Sequence, residues 1–287
     1  MRKHIAIFGA GQAGEMFANW LPAGQQLICY IDNHTAKQGT KIGDIPVCSL
    51  SEAFAMDLDM IVVAVLNRDA AKEIEAQIRD SGFDGEVIQI QDFRGRQDIR
   101  LAAVRLLASE IRDRKIPGAM AELGVYQGEL AREMNRLLPE RPLYLFDTFE
   151  GFDAKDLAVE QQFGSRRAKA GDFSDTSMEL VREKMLHPEQ VIFCKGYFPE
   201  SLEQAGELPK LALVSLDPDL YEPVYQGLKV FYPLLSPGGA IVIHDYNSVQ
   251  FPGVKKAVQK YCEEQGLFVV PLMDLHGSAV LIKQGCV

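Results

Sequence analysis

Residues 211–246, LALVSLDPDLYEPVYQGLKVFYPLLSPGGAIVIHDY, restrict the possible folds of this chain more than any other stretch. They read as strand, acidic loop, helix, Pro-Gly-Gly turn and strand, closed by His244-Asp245-Tyr246. Both strands are unbroken apolar runs without a polar alternation. That pattern belongs to a parallel sheet covered by helices on both faces. Each run ends in acids, Asp217 and Asp219 after the first and Asp245 after the second. In open α/β sheets ligands bind beyond the carboxyl ends of the strands. Carboxylates gathered there suit a hard divalent cation such as Mg2+.

Two further strand–glycine-turn–helix units surround this stretch. The first, HIAIFGAGQAG, carries Gly9, Gly11 and Gly14 in dinucleotide-fingerprint spacing, and Asp32 ends the next strand 18 residues after Gly14. Glycines there permit a tight turn and close approach of backbone to phosphate, and an acid at the next strand tip can take a ribose hydroxyl. The pattern predicts a small α/β domain over residues 1–92 that binds a nucleotide at Gly9, Gly11, Gly14 and Asp32. The alternative is that these glycines only make the turn.

The second unit, AMAELGVYQGELAREMNRLL, ends its strand in Glu122 and follows with Gly124 and Gly128; Asp147 stands 19 residues further on, at the tip of PLYLFD. This looser glycine loop is the kind that backs the methionine part of S-adenosylmethionine (SAM), with the next acid on the ribose. Between the units, IRLAAVRLLASEIRDRK predicts a long amphipathic helix. It reads as a linker over 93–118 and is also suited to forming a homo-oligomer. The polar segment 154–175, with Arg166, Arg167, Lys169 and Asp172, reads as a mobile loop or lid. TSMELVREKMLH reads as a helix capped by Thr176 or Asp175, and LFVVPLM and SAVLIK as two closing strands. The fold expected is therefore α/β, two Rossmann-like domains with the larger one over 119–287.

Composition narrows the function classes. For a chain of 287 residues, a net charge of −10 argues against electrostatic binding to nucleic acid or an anionic membrane. No run approaches the roughly 18 apolar residues needed to span a bilayer. The N-terminus reads as a first strand, not a signal peptide. Five scattered cysteines without a CxxC pair suggest reduced thiols and a cytoplasmic location. His187 and His276 read as structural.

The segments AELGVYQGELA, LFDTFEGFD, GDFSDTSMELVREKM, KGYFPESL, LVSLDPDLYEPVYQGLKVFYPLLSPGGAIVIHDY and GVKKAV occur in the order of a known family. Over about residues 95–285 the chain resembles the macrocin-type SAM-dependent O-methyltransferases. The resemblance implies a seven-stranded class I methyltransferase fold, SAM as cofactor, and methylation of a sugar hydroxyl with help from a divalent metal. Carried over by position, Glu122, Gly124, Tyr126, Gly128, Asp147, Lys195, Gly196 and Tyr197 would hold SAM. Asp217, Asp245 and His244 would hold the metal, and Asp219 or His244 would take the acceptor's proton. Residues 1–92 resemble the nucleotide-sugar-binding domains attached to sugar-modifying enzymes. The chain departs from the family pattern in three places: Gly124-Val-Tyr-Gln-Gly128-Glu129 replaces GVWRGG, Pro218 replaces glycine, and His244-Asp245 replaces two aspartates.

Two rival functions remain at this stage. One is a nicotinamide-dependent oxidoreductase using the first glycine turn, although residues 1–92 contain no Tyr-x-x-x-Lys pair. The other is a non-catalytic nucleotide-binding module with a decayed methyltransferase domain.

Overall fold

The computed structural model describes residues 3–94, 98–165, 168–274 and 277–285. Arg166, Arg167, His276 and Cys286 lie outside these residues. The chain divides into two compact units, residues 1–98 with 273–275 and residues 99–272 with 276–287.

The first unit contains β1 (Lys3–Phe8), α1 (Gln12–Ala18), β2 (Gln25–Ile31), β3 (Lys41–Ile42), β4 (Ile45–Cys48), α2 (Leu50–Ala53), β5 (Met60–Val63), α3 (Arg68–Asp80), β6 (Glu86–Gln89) and α4 (Ile90–Arg94). Its sheet order is β3-β4-β2-β1-β5-β6. Every pairing from β4 to β6 is parallel; β3 joins antiparallel at the edge. The pleat sends Ile5 and Ile7 into one apolar cluster and Ala6 and Phe8 into another, so both faces of β1 are buried. That explains the continuous apolar runs in its sequence.

The second unit contains α5 (Ile99–Asp113), β7 (Ala119–Leu123), α6 (Glu129–Leu137), β8 (Leu143–Asp147), α7 (Ala154–Glu160), α8 (Met178–Lys184), β9 (Val191–Lys195), β10 (Leu211–Leu216), α9 (Tyr221–Leu234), β11 (Leu235–Ile243), α10 (Pro252–Gln265), β12 (Val270–Pro271) and β13 (Ala279–Ile282). The seven strands run β12-β13-β11-β10-β7-β8-β9, with β13 antiparallel to both neighbours and the rest parallel. Chain order reverses between β7 and β10, and there a crevice opens at the carboxyl ends of the strands.

Several local expectations are revised. The helix expected as a linker is packed into the second unit: Val104, Ala108 and Ile111 are buried in a cluster with Met120, Leu145 and Val242. Segment 154–175 is not all loop, since α7 and a 3-10 turn occupy nearly its first half. The cap of α8 is Ser177, whose hydroxyl accepts from the Leu180 amide; Thr176 and Asp175 instead bond Tyr126. The first closing strand shrinks to Val270–Pro271, both exposed, and Phe268 just before it is 93% exposed. The four described cysteines are free and buried. Among the described residues no helix is long and apolar enough to cross a membrane.

Candidate active site

At the carboxyl end of the seven-stranded sheet lies a cavity of about 420 Å3. Its walls come from the tips of β7, β8, β10 and β11. Of the residues picked from the sequence, Glu122, Gly124, Tyr126, Gly128, Asp147, Gly196, Tyr197, Asp217, Asp219, His244 and Asp245 all line it. Lys195 does not; its ammonium pairs with Glu150, 3.1 Å away at the surface.

The glycine loop forms one wall. Gly124 has φ +84°, and a Cβ there would lie 2.3 Å from the Asp217 carbonyl oxygen. Only glycine fits, because the obstacle is backbone that cannot swing aside. Tyr126 has φ +48°, an unfavourable conformation for a bulky residue, held by two bonds to one acid. The amides of Val125 and Tyr126 both donate to Asp147 Oδ2, at 2.6 and 2.9 Å, and the Phe149 amide donates to Oδ1. Asp147 therefore shapes the loop as well as facing the cavity. A carboxylate has about four acceptor positions, so room is left for further donors. Glu122 is buried beside this loop, with Oε2 lacking a hydrogen-bond partner. Burial, reinforced by the charge of Asp217, pushes its carboxyl up to about 8.

The opposite wall is ionic. His244 Nδ1 lies 2.7 Å from both Asp217 Oδ1 and Asp245 Oδ2, while Arg100 Nη1 lies 2.6 Å from Asp217 Oδ2. Burial alone would raise the Asp217 carboxyl, but the charges of His244 and Arg100 outweigh it and hold it at about 2. Burial would likewise lower His244; the flanking Asp217 and Asp245 reverse that and lift it to about 10. Asp245 is lowered, its burial outweighed by the bonds from His244. Asp219 moves the other way, raised well above the ordinary range by burial and by the charges of Asp217 and Asp245. The corner thus sets Asp217 and Asp245, both lowered, against Arg100 and a raised His244, while Asp219 is shifted the opposite way from the other two aspartates. Asp219 and His244, expected to accept a proton, are both shifted towards their protonated forms. Asp219 and Asp245 have φ of +60° and +54°, a second and third strained residue at the same site.

Three participants were missed in the sequence. Arg100 sat in what read as a linker. Asp156, from α7, accepts the Tyr197 hydroxyl at 2.6 Å on the cavity wall, and burial pushes it up to about 6. Glu160 is fully buried and accepts the Tyr221 and Gly253 amides, each at 2.9 Å. Those amides open α9 and α10, just after the loops bearing Asp219 and Asp245. The only advance signal was acidic residues in a segment rich in them.

The first unit has its own strand-tip arrangement. A Cβ on Gly14 would sit 2.1 Å from the Gly9 carbonyl, and Gly9 has φ +117°, so the turn needs both glycines. Asp32 Oδ2 accepts from the Ala10 amide at 3.0 Å and Oδ1 from His34 at 2.9 Å. Lys37, unremarked in the sequence, bonds both Asp32 Oδ2 and the Ala10 carbonyl, at 2.9 and 2.8 Å. Gly11 adjoins the same ammonium.

A seven-stranded sheet of this order, with a glycine loop after its central strand and an acid at the neighbouring tip, defines the class I methyltransferase fold. The macrocin O-methyltransferase (TylF) family model matches residues 42–284, and the chain belongs to that family. The match starts earlier than the motif resemblance, within the first unit. Among curated relatives, the demethyldecarbamoylnovobiocin O-methyltransferase of Streptomyces niveus is 29% identical over 174 residues, 56% of this chain and 64% of that protein. A tetracenomycin-C rhamnosyl 4'-O-methyltransferase of Streptomyces olivaceus is 30% identical over 177 residues, 58% of this chain and 65% of that protein. The chain thus spans just under two thirds of the length of these relatives. The solved O-methyltransferase NovP superposes with a TM-score of 0.53 at 25% identity, over 65% of this chain and 80% of that one.

The divalent cation that the family resemblance implies can be tested against this donor set. Asp217, Asp219, His244 and Asp245 do bring ligand atoms within 4.8 Å of one another. As arranged, though, two protein cations already contact the two anionic carboxylates, and the imidazole faces those carboxylates. An imidazole nitrogen is also a poor Mg2+ ligand. The residues present do not fit a divalent ion in this arrangement.

Proposed function

We propose that the protein is a SAM-dependent O-methyltransferase acting on a hydroxyl of a sugar, carried on a nucleotide, a glycan or a glycosylated small molecule. The observation that carries this reading is a single cavity with a cofactor half, Glu122 to Gly128 with Asp147, facing an ionic half built on Asp217, Asp219, His244 and Asp245. Family membership and relatives named as O-methyltransferases, one of them on a rhamnosyl group, support it.

In this reading the loop carbonyls and Glu122 receive the methionine end of SAM, and Asp147 accepts from its ribose. Tyr197 and Asp156 flank the adenine side. SAM supplies an electrophilic methyl group; a C–O bond to the acceptor forms as the S–C bond breaks, leaving S-adenosylhomocysteine. Asp219 hydrogen-bonds the acceptor, which fixes its orientation, and orientation alone is worth several kcal/mol. The hydroxyl proton passes to Asp217, the anionic carboxylate more open to the cavity, with His244 and Arg100 fixing its position. This moves the base role from Asp219 or His244, where the sequence had placed it, to Asp217.

For the first unit, Gly9, Gly11, Gly14 and Asp32 with Lys37 support binding of a nucleotide or nucleotide sugar. The protein is expected in the cytoplasm as a soluble enzyme. Incubation with SAM and a panel of nucleotide sugars and glycosides should yield a methylated product, and Asp217→Ala should abolish turnover while leaving S-adenosylhomocysteine binding intact. Full activity in Asp217→Ala would remove Asp217 from the mechanism.

A further inference from the structure

Four acids surround one corner of the cavity: Glu122, Asp217, Asp219 and Asp245. Such a corner needs positive charge, because buried carboxylates are costly unless paired. The fold supplies it from two places distant in sequence. His244 stands at the tip of β11, between two aspartates. Arg100 is the second residue of α5, a helix fixed against the sheet by Val104, Ala108 and Ile111. Its guanidinium reaches Asp217 at 2.6 Å, and both side chains retain only about a fifth of their exposure, at 23% and 22%.

We propose that Arg100 and His244 are the built-in counter-cations of this acceptor site, and that they make it independent of a divalent metal ion. Both contact Asp217, one on each carboxylate oxygen. A dication entering the corner would have to displace both the guanidinium and the His244 ring from the Asp217 carboxylate. Arg100 is a positioning residue here: it acts through Asp217, fixing the carboxylate that receives the acceptor's proton. The proposal rests on the methyl-transfer reading only for that last role.

The test uses Mn2+ as the probe, followed by electron paramagnetic resonance on full-length protein dialysed against EDTA. Wild-type protein is expected to leave the free-Mn2+ signal undiminished into the millimolar range, and its SAM turnover is expected to survive EDTA. Arg100→Gln combined with His244→Asp removes both cations and adds a carboxylate; this variant is expected to take up one Mn2+ per chain. Arg100→Lys with native His244 should still exclude the ion. S-adenosylhomocysteine binding checks that each variant is folded. Stoichiometric Mn2+ uptake by the wild type, or activity lost to EDTA and restored by Mn2+, would overturn the proposal. So would a double variant that binds S-adenosylhomocysteine yet takes up no Mn2+. If the double variant fails to fold, the wild-type titration decides alone. The Mn2+-uptake outcomes do not depend on an acceptor, so failure of the methyl-transfer reading is separately visible.

Discussion

Replacement of Glu160 tests how the acceptor side of the cavity is held. Its two carboxylate oxygens accept the Tyr221 and Gly253 amides at 2.9 Å each, and the residue is fully buried. Both donors belong to the first turns of helices, where amides lack intrahelical partners and an anion is favoured. A hydrogen bond to a charged group contributes about 1.5–3 kcal/mol. Two lost bonds therefore place Glu160→Ala at about 3–6 kcal/mol, with the lower end expected because water can enter the vacated space. For a unit of this size that corresponds to a melting temperature lower by roughly 6–12 °C, at about 2–4 °C per kcal/mol. Glu160→Gln keeps one acceptor oxygen and should lose about half as much. Urea and thermal denaturation followed by circular dichroism give the stability, and the acceptor KM gives the functional effect. The loops carrying Asp219 and Asp245 lead into these two helices, so acceptor KM should rise more than SAM KM. An alanine variant within about 1 kcal/mol of wild type would refute the reasoning, because the two bonds would then contribute less than ordinary neutral ones.

Other perturbations address the cofactor half. Gly124→Ala forces a Cβ against the Asp217 backbone and strains φ, so S-adenosylhomocysteine affinity measured by calorimetry should fall at least about tenfold; unchanged affinity would separate this loop from the cofactor. Glu122→Gln tests burial of a neutral acid. The carboxyl rises from 4.5 to about 8 on folding, so the folded state retains a proton that the unfolded state loses. Wild-type stability should therefore decline relative to the variant as pH rises from 4.5 towards 8, and the gap should stay constant beyond. A gap that does not change across that window would contradict the assignment.

The fold was legible because doubly buried strands write themselves as apolar runs bounded by glycines and acids. Glu122, Asp147, Asp217 and Asp245 each end such a run, so their convergence at one sheet edge followed from topology alone. Arg100 was not legible: an arginine in an amphipathic helix gives no sign of which carboxylate it will meet 117 positions later. Glu160 was hidden for the same reason, its partners being backbone amides of two remote helices. Protonation was also out of reach, since only the distances among Asp217, Asp219, His244 and Asp245 decide which acids remain neutral. Lys195 erred in the opposite direction. It shares a motif with Gly196 and Tyr197, but as the last residue of β9 its side chain turns to solvent.

The most direct measurement is mass-spectrometric detection of methyl transfer from isotopically labelled SAM to a panel of nucleotide sugars and glycosides, with calorimetric titration of SAM and NADH alongside. The account predicts SAM binding, a labelled methyl ether on at least one sugar hydroxyl, and one S-adenosylhomocysteine released per product. Tight NADH binding with no SAM binding and no methylated product would contradict it.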